Sequence, residues 1–460
     1  MSSAADQLAS NINLGVFSKA TELKRRIWFA LGALVVYRLG TFITLPGIDP
    51  VAMRDVMAAQ AGGVLGLFDM FAGGALSRMS IFALNIMPYI SAAIIIQLLA
   101  AVSPTLESLK KEGITGRIKL NQYTRYLTVA ITSLQALGIA NGLQGSMASN
   151  GLPVVMNPGP FFIATTVITL VGGTMFLVWL GEQISERGIG QGISLLIFAG
   201  IVAGLPGAIA STLELGRTGA LSPIVIGLIA VGAVGLVATI VFFEQAQRRI
   251  LVQYPKRQQG NKVFGGEASH IPLKLNTSGV IPPIFASSLL LLPLTIAGFQ
   301  GGTVIGPNGM PVAAPGGEGF LNTMGALLGR GQPLYLFLYA VFIIFFAFFY
   351  TAVVFNPTDT AENLRKYGGF VPGIRPGKNT ADYLDFVLTR LTVVGGLYLV
   401  VVCLLPEYLI ARMSTPFALG GTSMMIVVNV TLNTMQQVQA HLLAHQYEGL
   451  LKKSRLRGKR

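Results

Sequence analysis

No acidic residue sits in the middle of any long apolar run of this chain. Charge of any kind is scarce, with Asp, Glu, Lys and Arg making up 11% of the 460 residues. Proton- and ion-coupled pumps place acids within their spans, so the pattern argues against a pump. There is one cysteine, Cys403, which excludes an internal disulfide and makes a thiolate metal site implausible. His441 and His445 have helical i, i+4 spacing but no third ligand, and read as ordinary residues at the end of a span. No G-x-x-x-x-G-K-[ST] loop occurs, so the chain carries no P-loop for nucleotide. Gly188-Ile-Gly190-Gln-Gly192 follows no strand and reads as a flexible helix start. No residue pair suits an intramembrane enzyme, and nothing calls for a cofactor.

What is present is hydrophobic length. Residues AVILMFWYC make up 52% of the chain. They gather in ten runs, at 27–45, 79–102, 126–143, 161–181, 193–213, 222–243, 280–299, 333–355, 387–405 and 417–440. About 20 apolar residues in a helix cross a bilayer core. Lipid demands that each span satisfy its own backbone, which favours helices. Only Arg38 and Arg390 interrupt the runs with charge. The first run begins at Ile27, contains Arg38 and lacks a small-residue cleavage site, so it is expected to be a retained span and not a signal peptide.

The net charge of +14 is unevenly placed. Lys and Arg crowd the segment before Ile27, the second, sixth and eighth loops, and the tail after Leu451. The alternate loops carry just Arg54, Arg78, Arg217, Arg330 and Arg412. The positive-inside rule then puts both termini and the large basic loops in the cytoplasm. Such a face suits anionic lipid, ribosomal RNA or an acidic protein surface.

Ten spans with both ends on one side divide five and five. The second run contains Asn85-Ile-Met-Pro88-Tyr-Ile90, and the seventh opens Gly279-Val-Ile-Pro-Pro283-Ile284, each a proline followed by isoleucine and small residues. Five is odd, so equivalent halves must be inverted, as in many transport folds. The expected units are an N-terminal segment 1–26, halves 27–213 and 214–442, and a basic tail 443–460. One apolar stretch, about 62–76, is too short to cross and is broken by Asp69 and glycines. It suits either a re-entrant half-helix or a surface amphipathic helix. The long basic loops 244–278 and 356–385 read as docking surfaces, since loops beyond about 12–15 residues usually have a function or are disordered.

At these motifs the chain resembles the SecY family, channel-forming subunits of the bacterial Sec translocase and relatives of the ER translocon α-subunit. The blocks that carry the resemblance include Gly73-Gly-Ala-Leu-Ser-Arg78, Ile86-Met-Pro-Tyr-Ile-Ser91, Lys256-Arg-Gln-Gln-Gly260 and Phe370-Val-Pro-Gly-Ile-Arg-Pro-Gly377, in the family's order and spacing. The resemblance implies an all-α membrane protein with ten transmembrane helices in two inverted halves. Between them would lie an hourglass pore that passes unfolded secretory chains across the inner membrane, or releases membrane segments sideways.

Position by position, it implies a constricting ring at Ile86, Ile90, Ile193, Ile197, Ile284 and Ile426. It places a plug at Val64, Leu65, Leu67, Phe68, Asp69, Phe71, Gly73 and Gly74, with Asp69 in place of the expected uncharged polar residue. A lateral gate falls at Ser91, Gln97 and Leu292. Docking of the SecA motor ATPase and the ribosome falls on Lys256, Arg257, Lys262, Arg365, Lys366 and Arg375, while Asn261 replaces a basic residue common in relatives. The implied partners are SecE, SecG, SecA, the ribosome, signal-sequence-bearing polypeptides and membrane lipids, with SecDF and YidC beyond them. The rival expectation is a small-solute secondary transporter built on inverted repeats.

Overall fold

The computed structural model describes residues 21–59, 69, 72–144, 152–219, 222–254, 257–259, 262–264, 268–300, 303–305, 311–313, 332–413 and 420–457. The protein is mostly helical. The helices are α1 (Thr21–Gly40), α2 (Pro50–Ala59), α3 (Met87–Val102), α4 (Pro104–Lys111), α5 (Ile114–Gln144), α6 (Pro160–Arg187), α7 (Gly192–Arg217), α8 (Pro223–Gln245), α9 (Ile281–Gln300), α10 (Pro333–Val354), α11 (Pro357–Lys366), α12 (Lys378–Met413) and α13 (Gly421–Arg457).

Proline marks many of the starts. It stands in the first turn of α3, α4, α6, α8, α10 and α11. There its missing N–H breaks no helical bond and its fixed φ is already helical. Ser222 and Asn356 add side-chain caps at α8 and α11. Where a proline cannot continue a helix, the axis turns. Between Val102 and Pro104 the chain bends by 99° into α4, a short helix with no buried residue. On α4 the exposed pair Glu107 and Lys111 lies 2.8 Å apart, and that hydrogen bond holds the Glu107 carboxyl below its usual range.

Among the described residues six helices are long and apolar enough to cross a membrane, or seven if the bent pair α3–α4 forms one span. Burial separates them. Just 6% of the α8 window is covered by protein, against 56% for α12. α8 is therefore apolar nearly all round and exposed nearly all round, as a lipid-facing helix must be.

Two expectations need correction. The second run was expected to be helical from residue 79, but α3 starts at Met87 and residues 81–86 are turns. Met79 and Asn85 take positive φ of 44° and 50°, which breaks the helix although the composition stays apolar. At 16 residues, α3 extends roughly 24 Å, short of a hydrocarbon core of about 30 Å. The fold is also not purely α. β1 (Gln247–Gln253) and β4 (Ala268–Lys274) pair antiparallel over their full length. The short hairpin β2 (Arg257–Gln259) with β3 (Lys262–Phe264) lies between them in sequence, and β5 (Thr303–Ile305) pairs with β6 (Pro311–Ala313).

The β1–β4 ribbon and the loop between α11 and α12 form one body. Gln253 and Phe370 exchange backbone hydrogen bonds. Ile250, Val252 and Leu273 of the ribbon share an apolar cluster with Val371, Leu384, Val387, Leu388 and Leu391. A second, far larger cluster joins α1, α3, α5–α10, α12 and α13 into the main bundle. Within it α9 packs on α3 and α5, and α7 packs on α13. The presumed boundary at Leu213 lies inside α7, which continues to Arg217.

Candidate functional site

The six isoleucines come from four separate places: Ile86 and Ile90 at the start of α3, Ile193 and Ile197 at the start of α7, Ile284 early in α9, and Ile426 early in α13. Ile86, Ile90, Ile197 and Ile426 are buried, at 0%, 7%, 6% and 1% exposure. Ile193 and Ile284 are half-buried and pack against the same apolar cluster. The i, i+4 pairs put two methyl-rich side chains along one face of α3 and of α7. Closed into a narrow collar, side chains of this kind would exclude water and ions, and their dispersion contacts would tolerate many shapes.

Of the stretch preceding α3, Val64, Leu65, Leu67, Phe68 and Phe71 lie outside the described residues. Asp69, Gly73 and Gly74 are described. Asp69 accepts the backbone N–H of Ser77 at 2.8 Å, and its carbonyl accepts that of Gly74 at 3.0 Å. The acid therefore closes a local turn, which explains how a charge is tolerated there. Gly73 and Gly74 have φ of +65° and +80°, a region that favours glycine. A Cβ on Gly73 would stand 2.9 Å from the Gly200 backbone of α7. Arg38 Nη1 donates to the Gly73 carbonyl at 2.8 Å, so the one charge within the first run is spent on this turn.

Among the described residues, the seam between α3 and α9 has few polar contacts. Ser91 donates to the Met87 carbonyl of its own helix. Across the seam, Ser288 of α9 donates to Met87 Sδ at 3.7 Å. Gln97 Oε1 is buried without a hydrogen-bond partner among the described residues. Leu292 lies on α9, and its side chain falls outside the described residues.

Of the basic positions, Arg365 and Lys366 end α11 and Arg375 lies in the turn before α12, all three exposed. The Arg375 carbonyl accepts the Thr380 hydroxyl at 2.9 Å, which anchors the backbone and leaves the guanidinium outward. Arg257 and Lys262 belong to β2 and β3, while Lys256 and Asn261 lie outside the described residues.

One cluster escaped the sequence reading. Glu244, at the C-terminal end of α8, is 9% exposed. Its Oε1 accepts from Asn276 Nδ2 at 2.7 Å and its Oε2 accepts from Asn429 Nδ2 at 3.0 Å. Asn276 Oδ1 in turn accepts from the Gly279 N–H and the Ser278 hydroxyl, and Asn433 donates to Asn429 Oδ1 at 2.6 Å. The acid at the end of an apolar run reads as an interfacial charge, and its partners are 32 and 185 residues away. No local pattern could reveal it.

A family model described as SecY matches residues 80–435. The chain is 55% identical over 443 residues to the protein translocase subunit SecY of Rickettsia typhi, covering 96% of this chain and 99% of that one. Its fold is similar to a SecY structure whose plug domain is described as stabilising the closed state of the translocation channel. That match has a TM-score of 0.58 and 18% identity, and covers 92% of this chain and 93% of that chain. It is also similar to Sec61 in the canine ribosome-channel complex of the endoplasmic reticulum, with a TM-score of 0.53, 17% identity and the same coverage of each chain.

Proposed function

The chain belongs to the SecY family, and from that premise we propose that it is the protein-conducting subunit of a bacterial inner-membrane translocase. Unfolded secretory chains pass through its centre and membrane segments leave it sideways. It hydrolyses nothing itself; the drive comes from a motor ATPase or from translation. The observation that carries this reading is the 55% identity to a translocase subunit over 96% of the chain, joined to a channel fold.

In this reading ten helices span the membrane in two inverted halves, 27–213 and 214–442, with both termini and the basic tail 443–460 in the cytoplasm. The ring is Ile86, Ile90, Ile193, Ile197, Ile284 and Ile426, supported by their shared apolar cluster. The plug is the segment 62–76, hinged at Gly73 and Gly74. The gate is the α3–α9 seam at Ser91, Gln97 and Leu292, supported by the sparse polar bonding among the described residues of that seam. The ribbon and the neighbouring α11–α12 loop form one docking platform. There Arg257, Lys262, Arg365, Lys366 and Arg375, with Lys256 beside them, receive SecA or the ribosome, and Arg375 presents a planar fork to carboxylate or phosphate. SecE and SecG complete the complex.

Reconstitution tests the whole reading. The chain, purified with its SecE-like and SecG-like partners into vesicles, should protect a secretory precursor from external protease only when SecA and ATP are present. Arg375→Glu should abolish this protection with the complex intact. Uptake of a small solute without SecA, and no protection with it, would replace the channel by a solute transporter.

A further inference from the structure

We infer that Glu244 is a positioning residue for the channel seal: its buried carboxylate ties the turn that launches α9 to helix α13, and so holds Ile284 and Ile426 in register. The inference rests on the ring described above.

Its basis is convergence. Glu244 ends α8, Asn276 stands in the turn between β4 and α9, and Asn429 lies on α13. Three elements that the sequence keeps far apart meet on one carboxylate, each oxygen taken by an amide N–H. Asn276 also fixes the turn itself. Its Oδ1 accepts the Gly279 N–H at 3.1 Å and its Nδ2 reaches the Gly279 carbonyl at 3.0 Å, at a residue whose φ is +63°. α9 starts two residues later, and Ile284 lies within its first turn. On α13, Asn429 is three residues beyond Ile426, so both project from one side of the helix. The network thus fixes the start of α9 against the part of α13 that carries the second isoleucine.

The chemistry makes the tie strong and hard to replace. A buried carboxylate is tolerated only when paired, and hydrogen bonds to an ionised acceptor are about twice as strong as neutral ones. Removing it strands one N–H on each of two buried amides, Asn276 at 3% and Asn429 at 7% exposure. Phe243, next to Glu244 in the chain, stacks on Tyr398 of α12 at 4.3 Å. Without the tie, Ile284 and Ile426 shift independently and the collar no longer closes on itself.

The test is resting ion conductance per channel of the reconstituted complex in planar bilayers, with export of a precursor carrying a defective signal sequence as second readout. Glu244→Ala should raise resting conductance roughly tenfold, the scale of one lost charge-assisted hydrogen bond, and should improve export of the defective precursor. Glu244→Gln alone should raise conductance less. Combining it with Asn429→Asp returns a carboxylate to the other end of the same bond and should restore the wild-type seal. A role confined to stability would lower the amount of folded complex and leave conductance per channel unchanged. Ile426→Asn serves as the reference for a broken ring. Leak from Ile426→Asn with a tight Glu244→Ala channel overturns the tie alone; no leak from either overturns the ring with it. If Glu244→Ala fails to accumulate, the Gln variant and the exchange carry the same comparison.

Discussion

The turns that lead into α3 and α9 can be laid side by side, because each launches a proline-bearing helix and each is seated on one glycine of a Gly-Gly pair. In the first, the Ile81 carbonyl lies where a Cβ on Gly173 of α6 would stand, 2.0 Å away. In the second, the Leu275 carbonyl faces Gly395 of α12, 2.8 Å from a Cβ there. The local sequences agree: Val171-Gly-Gly173 in one half and Val394-Gly-Gly396 in the other. The first turn is held by shape and backbone pairing, through Leu45 N–H to the Met79 carbonyl, Ile81 N–H to the Ile43 carbonyl, and Phe82 wedged over Gly40. The second keeps the glycine seat and adds the Glu244 network. In the first half the charged bonds, Arg38 to the Gly73 carbonyl and Asp69 to the Ser77 N–H, lie upstream of the turn, whereas in the second a carboxylate ties the turn itself. Packing alone gives a fixed seat, whereas a hydrogen-bonded tie can be released and remade.

The sharpest way to break this comparison is to weld the two launched helices together. Ser91→Cys with Leu292→Cys, on a Cys403→Ser background, should oxidise to a disulfide if α3 and α9 approach with Cα atoms within about 7 Å. Bonded protein should lose both secretion and membrane insertion, and reduction should restore them. Undiminished transport through fully bonded channels would show that the two helices need not part.

The glycine seats should differ in tolerance. Gly173→Ala forces a methyl into a backbone carbonyl that cannot yield, and should cost about 3 kcal/mol, the upper end of overpacking penalties. Gly395→Ala has more room and should cost about 1 kcal/mol. Thermal unfolding of the detergent-solubilised complex measures both, and equal costs would erase the difference between the turns. The smallest effect is expected where the halves touch through one bond. The Gly190 N–H donates to Gln437 Oε1 at 2.8 Å, joining the α6–α7 corner to α13. Gln437→Ala should cost about 1 kcal/mol and leave SecA-driven transport near normal. A loss of transport would mean that this corner takes part in opening.

Much of the bundle was legible in sequence because long apolar runs and first-turn prolines are local signals. The starts of α6, α8 and α10 fall within a residue of the expected runs for that reason. The failures also have causes. Residues 79–86 keep an apolar composition while Met79 and Asn85 take positive φ, so hydropathy reads straight through a break. The β1 strand carries an alternation in Ile250 and Val252, both buried, but only two positions long and surrounded by basic residues that read as a topology signal. The isoleucines proposed for the ring could be singled out only by family resemblance, since any buried isoleucine has the same pattern. Glu244 was invisible because its meaning lies entirely in distant partners.

The β1–β4 ribbon has a mechanical consequence. Its two strands grow from the C-terminal end of α8 and from the turn before α9, so its root is the Glu244–Asn276 hydrogen bond. Seven paired residues give an arm of roughly 23 Å at about 3.3 Å per residue. Because its far end is bonded to Phe370, the ribbon moves with the α11–α12 loop as one body, and a load on that body reaches the root over the length of the ribbon. A sideways load on the ribbon becomes torque about the start of α9. A partner seated on that body would need no reach past the ribbon to twist α9.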